Sequence, residues 1–509
     1  MILRNNRIIF LVLGIVVLFV IGYGIYSSLE FAKKDIPEKK AIFITKDSSV
    51  KKIILITIDT LRTDHLSCYG YIQNTSPFLD EIAKQGILFK NAFAAIATTV
   101  PSHTSLFTSL YPLQHKVLKN GHKLDDSFLT MAEMFHQMGY KTAGIVSTVG
   151  HFKAGNLNQG FDYFYKPEEE LALNGDVYQQ AEKTINVAIK WLDTVKADEK
   201  FLLWIHLYDP HTPLKPHPDD YERLANALNP RQHIAFLSEK QKVNLDFFYN
   251  SQEEMLHKIR LYDAEIHYTD NEIKRFYNYY QTKVKKENSL WVITADHGEG
   301  LGNHNWWGHG KHIYNEQLRI PLIFHFSSGG GGKEKAIDQI VENVNSGKVV
   351  EQLVENVDIL PTILDLMNVS AKFSYTIQGK SLLHLMLPQK DRIEHKTYAF
   401  SERRVFSTKK NPKKINPKKT RFEAGNKYAL QSKEYKYIYW TEGPDEFFDL
   451  RVDPYEINNL INSGSQQERD LRATLLKKIN ESQQDAGTEQ PLTVDKKAIK
   501  QLKSLGYVQ

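Results

Sequence analysis

Near-continuous apolar runs of β type recur along the chain, at 53–58, 142–147, 201–207, 290–295 and 320–326. Stretches with helical periodicity lie between them, among them 126–139, 176–195 and 252–283. Strands apolar on both faces, alternating with helices, predict a mostly parallel sheet covered on both sides. For 126–139 the expected cap is Asp126 or Ser127 and the expected stop is Gly139. The glycine run 329–332 marks a turn or insertion. Beyond about Asn368 the pattern changes. Residues 427–440 alternate like strands of a small antiparallel sheet, and 466–505 reads as helix. The expected fold is therefore α/β: a large, mostly parallel or mixed sheet between helices, then a C-terminal antiparallel sheet with a helix.

The first 50 residues differ from the rest. Residues 8–26 form an apolar run without charge, long enough to span a hydrocarbon core of ~30 Å. Arg4 and Arg7 precede it and favour a cytoplasmic N-terminus, while Lys33, Lys34, Lys39 and Lys40 follow it and weaken that bias. The segmentation that follows is an N-terminal signal-anchor at 1–27, a stalk at 28–50, a catalytic α/β domain at 51–370 and a C-terminal α+β subdomain at 371–509. The catalytic part is then expected in a periplasm or at the cell exterior, membrane-anchored, or secreted after cleavage of a signal peptide.

Composition narrows the classes. The 509 residues are 41% hydrophobic, ample for a large core, and 65 basic against 60 acidic residues leave a net charge of +5. That near balance gives no basis for a nucleic-acid partner. The lone Cys68 allows no internal disulfide. The Lys-rich stretch 405–427 reads as a solvated loop or as a contact with an anionic substrate or lipid.

Chemistry gathers at strand ends. Asp59 ends the first apolar run, and Asp296–His297 ends the run at 290–295. In a parallel sheet these ends share the edge where open α/β folds place ligands. Two carboxylates and an imidazole there make a mixed oxygen–nitrogen metal site. The stretch 296–312 adds Glu299, His304, His309 and His312. Thr99 stands two residues before Pro101, a natural first helical residue. It is thus expected just before a helix, beside free N–H groups and the positive end of the dipole. A hydroxyl there ionises readily if a cation also touches it. A simple helix cap at Thr98 or Thr99 is the alternative. His206 and His211, in 206–213, end another strand and could hold an ester oxygen or protonate a leaving group. His206, Asp209 and His304 form a conceivable second metal set.

Taken in order, these segments resemble the sulfatase branch of the alkaline phosphatase superfamily, across nearly the whole chain after residue 50. Residues 53–71 resemble the family's opening strand with its metal Asp at Asp59. Residues 99–112 resemble the nucleophile signature, and 139–143, 160–164, 209–213, 294–302, 314–324, 444–460 and 505–508 resemble later landmarks. The resemblance implies an alkaline phosphatase/sulfatase-like fold and a metal-dependent hydrolase or transferase of sulfate or phosphate esters.

The departures matter. Thr99 stands where the Cys or Ser that becomes formylglycine is expected, and a Thr cannot become that aldehyde. His103 replaces the signature Arg, the Lys–x–His pair expected after 139–143 is absent, Thr60 replaces a second Asp, and His297 stands where many sulfatases carry Asn. The resemblance then implies Thr99 as nucleophile, with no formylglycine. One divalent ion (Mn, Zn, Ca or Mg) is expected on Asp59, Thr99, Asp296 and His297. His211, His309 and Lys311 are the candidates for anion stabilisation and leaving-group protonation. The expected substrate is an anionic ester of an envelope glycan or lipid headgroup, with phosphoesters or phosphodiesters favoured and sulfate esters as the alternative. An inactive membrane-tethered binding module is a further alternative.

Overall fold

The computed structural model describes residues 42–45, 50–148, 150–167, 178–215, 217–247, 250–284, 289–327, 347–372, 375–387, 395–404 and 425–485. The expected anchor, most of the stalk, the glycine run 329–332, nearly all of the Lys-rich stretch and the terminal 486–509 lie outside them. No helix among the described residues is long and apolar enough to cross a membrane.

A nine-stranded mixed sheet carries the fold. Its strands are β1 (Lys52–Ile58), β2 (Ile87–Phe93), β3 (Lys141–Val146), β4 (Tyr163–Tyr165), β5 (Phe201–Leu207), β6 (Ser289–Ala295), β7 (Arg319–Ile320), β8 (Leu322–Ser327) and β9 (Lys348–Glu355). Five neighbours run parallel, in the order β6, β1, β5, β3, β4. β8 is antiparallel to β6 and to β2, β7 extends the β2 pairing beyond Pro321, and β9 pairs parallel with β2. The run read as one strand at 320–326 is thus broken at Pro321, which lacks an N–H for the ladder. β1, β5 and β6 are buried along their whole length. That burial on both faces is why they read as unbroken Val, Ile and Leu runs.

Two groups of helices cover the sheet. α1 (Pro77–Gln85) and α4 (Ala181–Asp193) pack on the long α5 (Gln252–Lys283). α2 (Thr99–Thr108), α3 (Met131–Gln137) and α6 (Ile359–Leu366) form the other group. α3 starts later than expected. Thr130 caps it, accepting the Glu133 N–H while Glu133 accepts the Thr130 N–H. This reciprocal box satisfies two orphan donors, so it outcompetes a cap at Asp126 or Ser127. Gly139 ends it as expected, at φ 75°. α2 begins at Thr99 itself, not after it, with Pro101 in its third position. A proline fits there because N–H groups of the first turn have no partner four residues back.

The C-terminal part is a four-stranded antiparallel sheet of β10 (Ala399–Arg403), β11 (Lys427–Gln431), β12 (Tyr435–Trp440) and β13 (Glu446–Asp449). Helix α7 (Gln466–Asp485) covers it, with Leu471, Leu475 and Ile479 packed against Phe400, Tyr437 and Phe447.

Candidate active site

The strand order brings Asp59, Asp296 and His297 to one edge. β1 and β6 are adjacent and in register, with Ile58 opposite Ala295, so the residues that follow leave the sheet side by side. Ligand atoms of Asp59, Asp296 and His297 all lie within 4.8 Å of one another. Backbone groups hold the other atoms of these side chains. Asp296 Oδ1 accepts the N–H of Thr60 at 3.2 Å and of His297 at 2.8 Å, leaving Oδ2 for the site. Thr60 reaches it by adopting a left-handed φ of 55°. His297 Nδ1 donates to the Gly298 carbonyl at 2.8 Å, which fixes the tautomer and turns the Nε2 lone pair inward.

Three atoms remain: Asp59 Oδ1, Asp296 Oδ2 and His297 Nε2. Each is buried and without a hydrogen-bond partner. Nε2 stands 3.4 Å from Asp296 Oδ2 and 3.9 Å from Asp59 Oδ1. Donors bound to one cation at about 2.0–2.2 Å stand roughly 3 Å apart, so these residues fit a divalent ion with little movement. Electrostatics agree. Burial pushes the Asp59 carboxyl up to about 7, and burial followed by the Asp59 charge holds Asp296 well above its ordinary range. Unpaired carboxylates this close are costly until a cation joins them.

Thr99 reaches this edge through α2. The His103 ring bridges the Thr99 carbonyl, at 2.8 Å, and Thr57 Oγ1, at 3.0 Å, with its Nδ1 3.8 Å from Asp296 Oδ2. Ser102 Oγ donates to the Asp296 carbonyl at 2.6 Å, and Asn356 Nδ2 donates to Ser102 Oγ at 3.0 Å. The start of α2 is therefore pinned to the strand end that carries Asp296. Thr98 is the cap residue by backbone geometry, yet its side chain makes no capping bond.

Imidazoles line the approach. The His211 ring lies 4.9 Å from that of His309, which lies 4.5 Å from that of His297. Burial alone would depress the His309 imidazolium, but Glu299, whose carboxylate oxygens are 3.3 Å away, raises it to about 9. Burial, then the His309 charge, keeps His211 neutral. Lys311 is placed differently: its ammonium lies 4.3 Å above the Trp306 ring, and its carbonyl accepts from Arg403. The conceivable second metal set separates. His206 Nε2 stands 3.6 Å from Asp59 Oδ2, whereas His304 bonds Glu316 and the Glu456 carbonyl. His312 meets the Trp306 ring edge-on and stacks with Tyr314.

Arg62 has a role that the apolar pattern of the sequence does not mark: its fully buried guanidinium grips Asp64 and donates to the Glu299 carbonyl and Asn303, tying the 59–64 turn to the 299–303 loop. A charged pair directly after a strand-ending Asp was the available signal. Asn120, which accepts the Val100 N–H, and Asn356 had none, because their partners are remote in sequence.

Comparison with known proteins agrees with this architecture. Residues 51–369 match the family model described as Sulfatase, and residues 302–485 match one described as N-sulphoglucosamine sulphohydrolase, C-terminal. The chain is 27% identical over 465 residues to an ulvan-active sulfatase of Formosa agariphila, covering 86% of this chain and 82% of that protein. It is 25% identical over 508 residues to an arylsulfatase of Clostridium perfringens, covering 88% and 97%. The phosphonate monoester hydrolase of Agrobacterium radiobacter superposes with a TM-score of 0.65 at 19% identity, covering 86% of this chain and 96% of that one. The chain belongs to the sulfatase family, and it is a hydrolase of sulfate or phosphate esters.

Proposed function

We propose that this hydrolase cleaves phosphoesters or phosphodiesters through Thr99, with one divalent cation held by Asp59, Asp296 and His297 and completed by the Thr99 hydroxyl. The observation that carries this reading is the convergence of three buried, unpartnered ligand atoms beside the pinned start of the Thr99 helix. When bound, the cation supplies Lewis-acid polarisation and a lowered hydroxyl pKa. Thr99 Oγ1 gives up its proton to solvent and attacks phosphorus; the Oγ1–P bond forms as the bond to the leaving oxygen breaks. That oxygen takes a proton from the His309 imidazolium, beside which neutral His211 lies as a further polar wall, with Lys311 held over the Trp306 ring in the same loop. Water or an acceptor alcohol then gives its proton to the now neutral His309 and attacks phosphorus; the new O–P bond forms as the Oγ1–P bond breaks and releases Thr99.

Thr99 favours phosphorus over sulfur for a chemical reason. A formylglycine gem-diol expels sulfate by collapsing to its aldehyde, and a Thr ester has no such exit. Attack at phosphorus leaves a phospho-threonine that a second nucleophile can open. The name of the phosphonate monoester hydrolase points the same way, whereas the names of the curated relatives favour sulfate esters as the second reading. The apolar run 8–26 supports an exported enzyme working on envelope glycans or lipid headgroups.

The test is a side-by-side assay of an aryl sulfate, a phosphomonoester, a phosphodiester and a phosphonate monoester. Phosphoryl substrates should turn over faster, Thr99→Ala should lose about 10³-fold or more in kcat, and mass spectrometry after trapping should find a phosphoryl group on Thr99. Sulfate preference by a wide margin would reject the proposal.

A further inference from the structure

A second group of buried ligand atoms lies on the loop that leaves β5. Asp209 opens that loop, His217 lies near its end, and Glu265 projects from α5. One atom of each lies within 4.8 Å of the other two. Asp209 and Glu265 are fully buried, and the His217 side chain is 10% exposed.

Each side chain is already held by a different atom. Asp209 Oδ2 accepts the N–H of Ala181, the first residue of α4, at 2.9 Å. Glu265 Oε1 accepts the Lys215 N–H at 2.5 Å. The His217 ring stacks on Tyr268, centroids 3.8 Å apart and planes within 14°. Left over are Asp209 Oδ1, Glu265 Oε2 and His217 Nε2, none with a hydrogen-bond partner. Nε2 stands 3.4 Å from Oε2. Two carboxylates desolvated together are costly unless a positive charge joins them. A shared proton would satisfy the two oxygens and leave the imidazole nitrogen unspent. A cation satisfies all three.

We propose that Asp209, His217 and Glu265 form a second divalent-cation site, separate from that of Asp59, Asp296 and His297. Two carboxylates and an imidazole suit zinc or manganese. The ion ties the loop after β5 to α5 and to the start of α4. The same loop carries His211 to its place beside His309, so the second site braces a wall of the first.

Zinc alone is the probe. The full chain is stripped with a chelator, reloaded with zinc, desalted, and its metal counted by mass spectrometry against protein concentration. Glu265→Gln and His217→Gln should each lower the count by one per chain, both in the wild type and in an Asp59→Asn background. In that background zinc should also raise the unfolding temperature, and either substitution should abolish the rise. His217→Gln changes the partly exposed ligand and so keeps the test open if Glu265→Gln does not fold. A zinc count that these substitutions leave unchanged overturns the proposal and leaves a proton shared between Asp209 and Glu265.

Discussion

Asp296 divides its carboxylate between fold and chemistry. Oδ1 is spent on the N–H groups of Thr60 and His297, and Oδ2 faces Asp59 and the His297 imidazole without a hydrogen bond. Asp296→Asn keeps an acceptor for the two N–H groups while removing the charge. The expected outcome is an unfolding midpoint unchanged or raised, because repulsion with Asp59 disappears in the metal-free chain. Metal affinity should fall 10- to 100-fold or more, read by competition with a chromophoric chelator. A midpoint lowered together with affinity would mean the carboxylate mainly holds the fold. Gly298 makes a steric point beside it: a Cβ there would stand 2.1 Å from the Glu316 carbonyl. Gly298→Ala should push the His297 turn off the 314–318 segment and lose turnover together with bound metal, read by assay and by metal count.

Elements aim these residues, and not all were equally legible. β1, β5 and β6 could be read directly, since a central strand buried on both faces is written as an apolar run. Asp59, Asp296 and His297 were legible with them, because each ends such a run. β2 and β9 could not be read this way. Half-buried Lys90 and Asn91 interrupt one, and exposed Glu351 and Gln352 the other. The cluster of Asp209, His217 and Glu265 was illegible, since a loop and a distant helix supply its parts. The start of α3 is set by the reciprocal box of Thr130 and Glu133, four residues inside the stretch that the apolar period marks as helical. That box gives an element-level prediction. Thr130→Ala should cost about 1 kcal/mol of stability, measured by urea titration, and leave turnover at 25 °C unchanged, since α3 touches none of the clustered ligands.

At the scale of the whole molecule, the C-terminal sheet steadies the catalytic edge. Ser401 and Glu402 of β10 bond the Ala94 and Ala95 carbonyls, just ahead of α2. His304 fastens the 299–312 loop to the C-terminal part: its Nδ1 lies 3.0 Å from Glu316 Oε1, and its Nε2 donates to the Glu456 carbonyl at 2.9 Å. Burial on its own would lower the His304 pKa, but the Glu316 carboxylate raises it to about 9. The unfolded value is near 6.5. A histidine whose pKa is raised on folding adds stability that is fully present below the unfolded pKa and is lost as pH climbs through the folded one. The stability of the native chain should therefore fall between pH 6.5 and pH 9 by more than that of His304→Gln. The difference between the two proteins should shrink across this range by on the order of 3 kcal/mol. Urea unfolding of both proteins at pH 6, 7.5, 9 and 10 measures it. Parallel curves at all four pH values would show that the Glu316 contact does not govern His304.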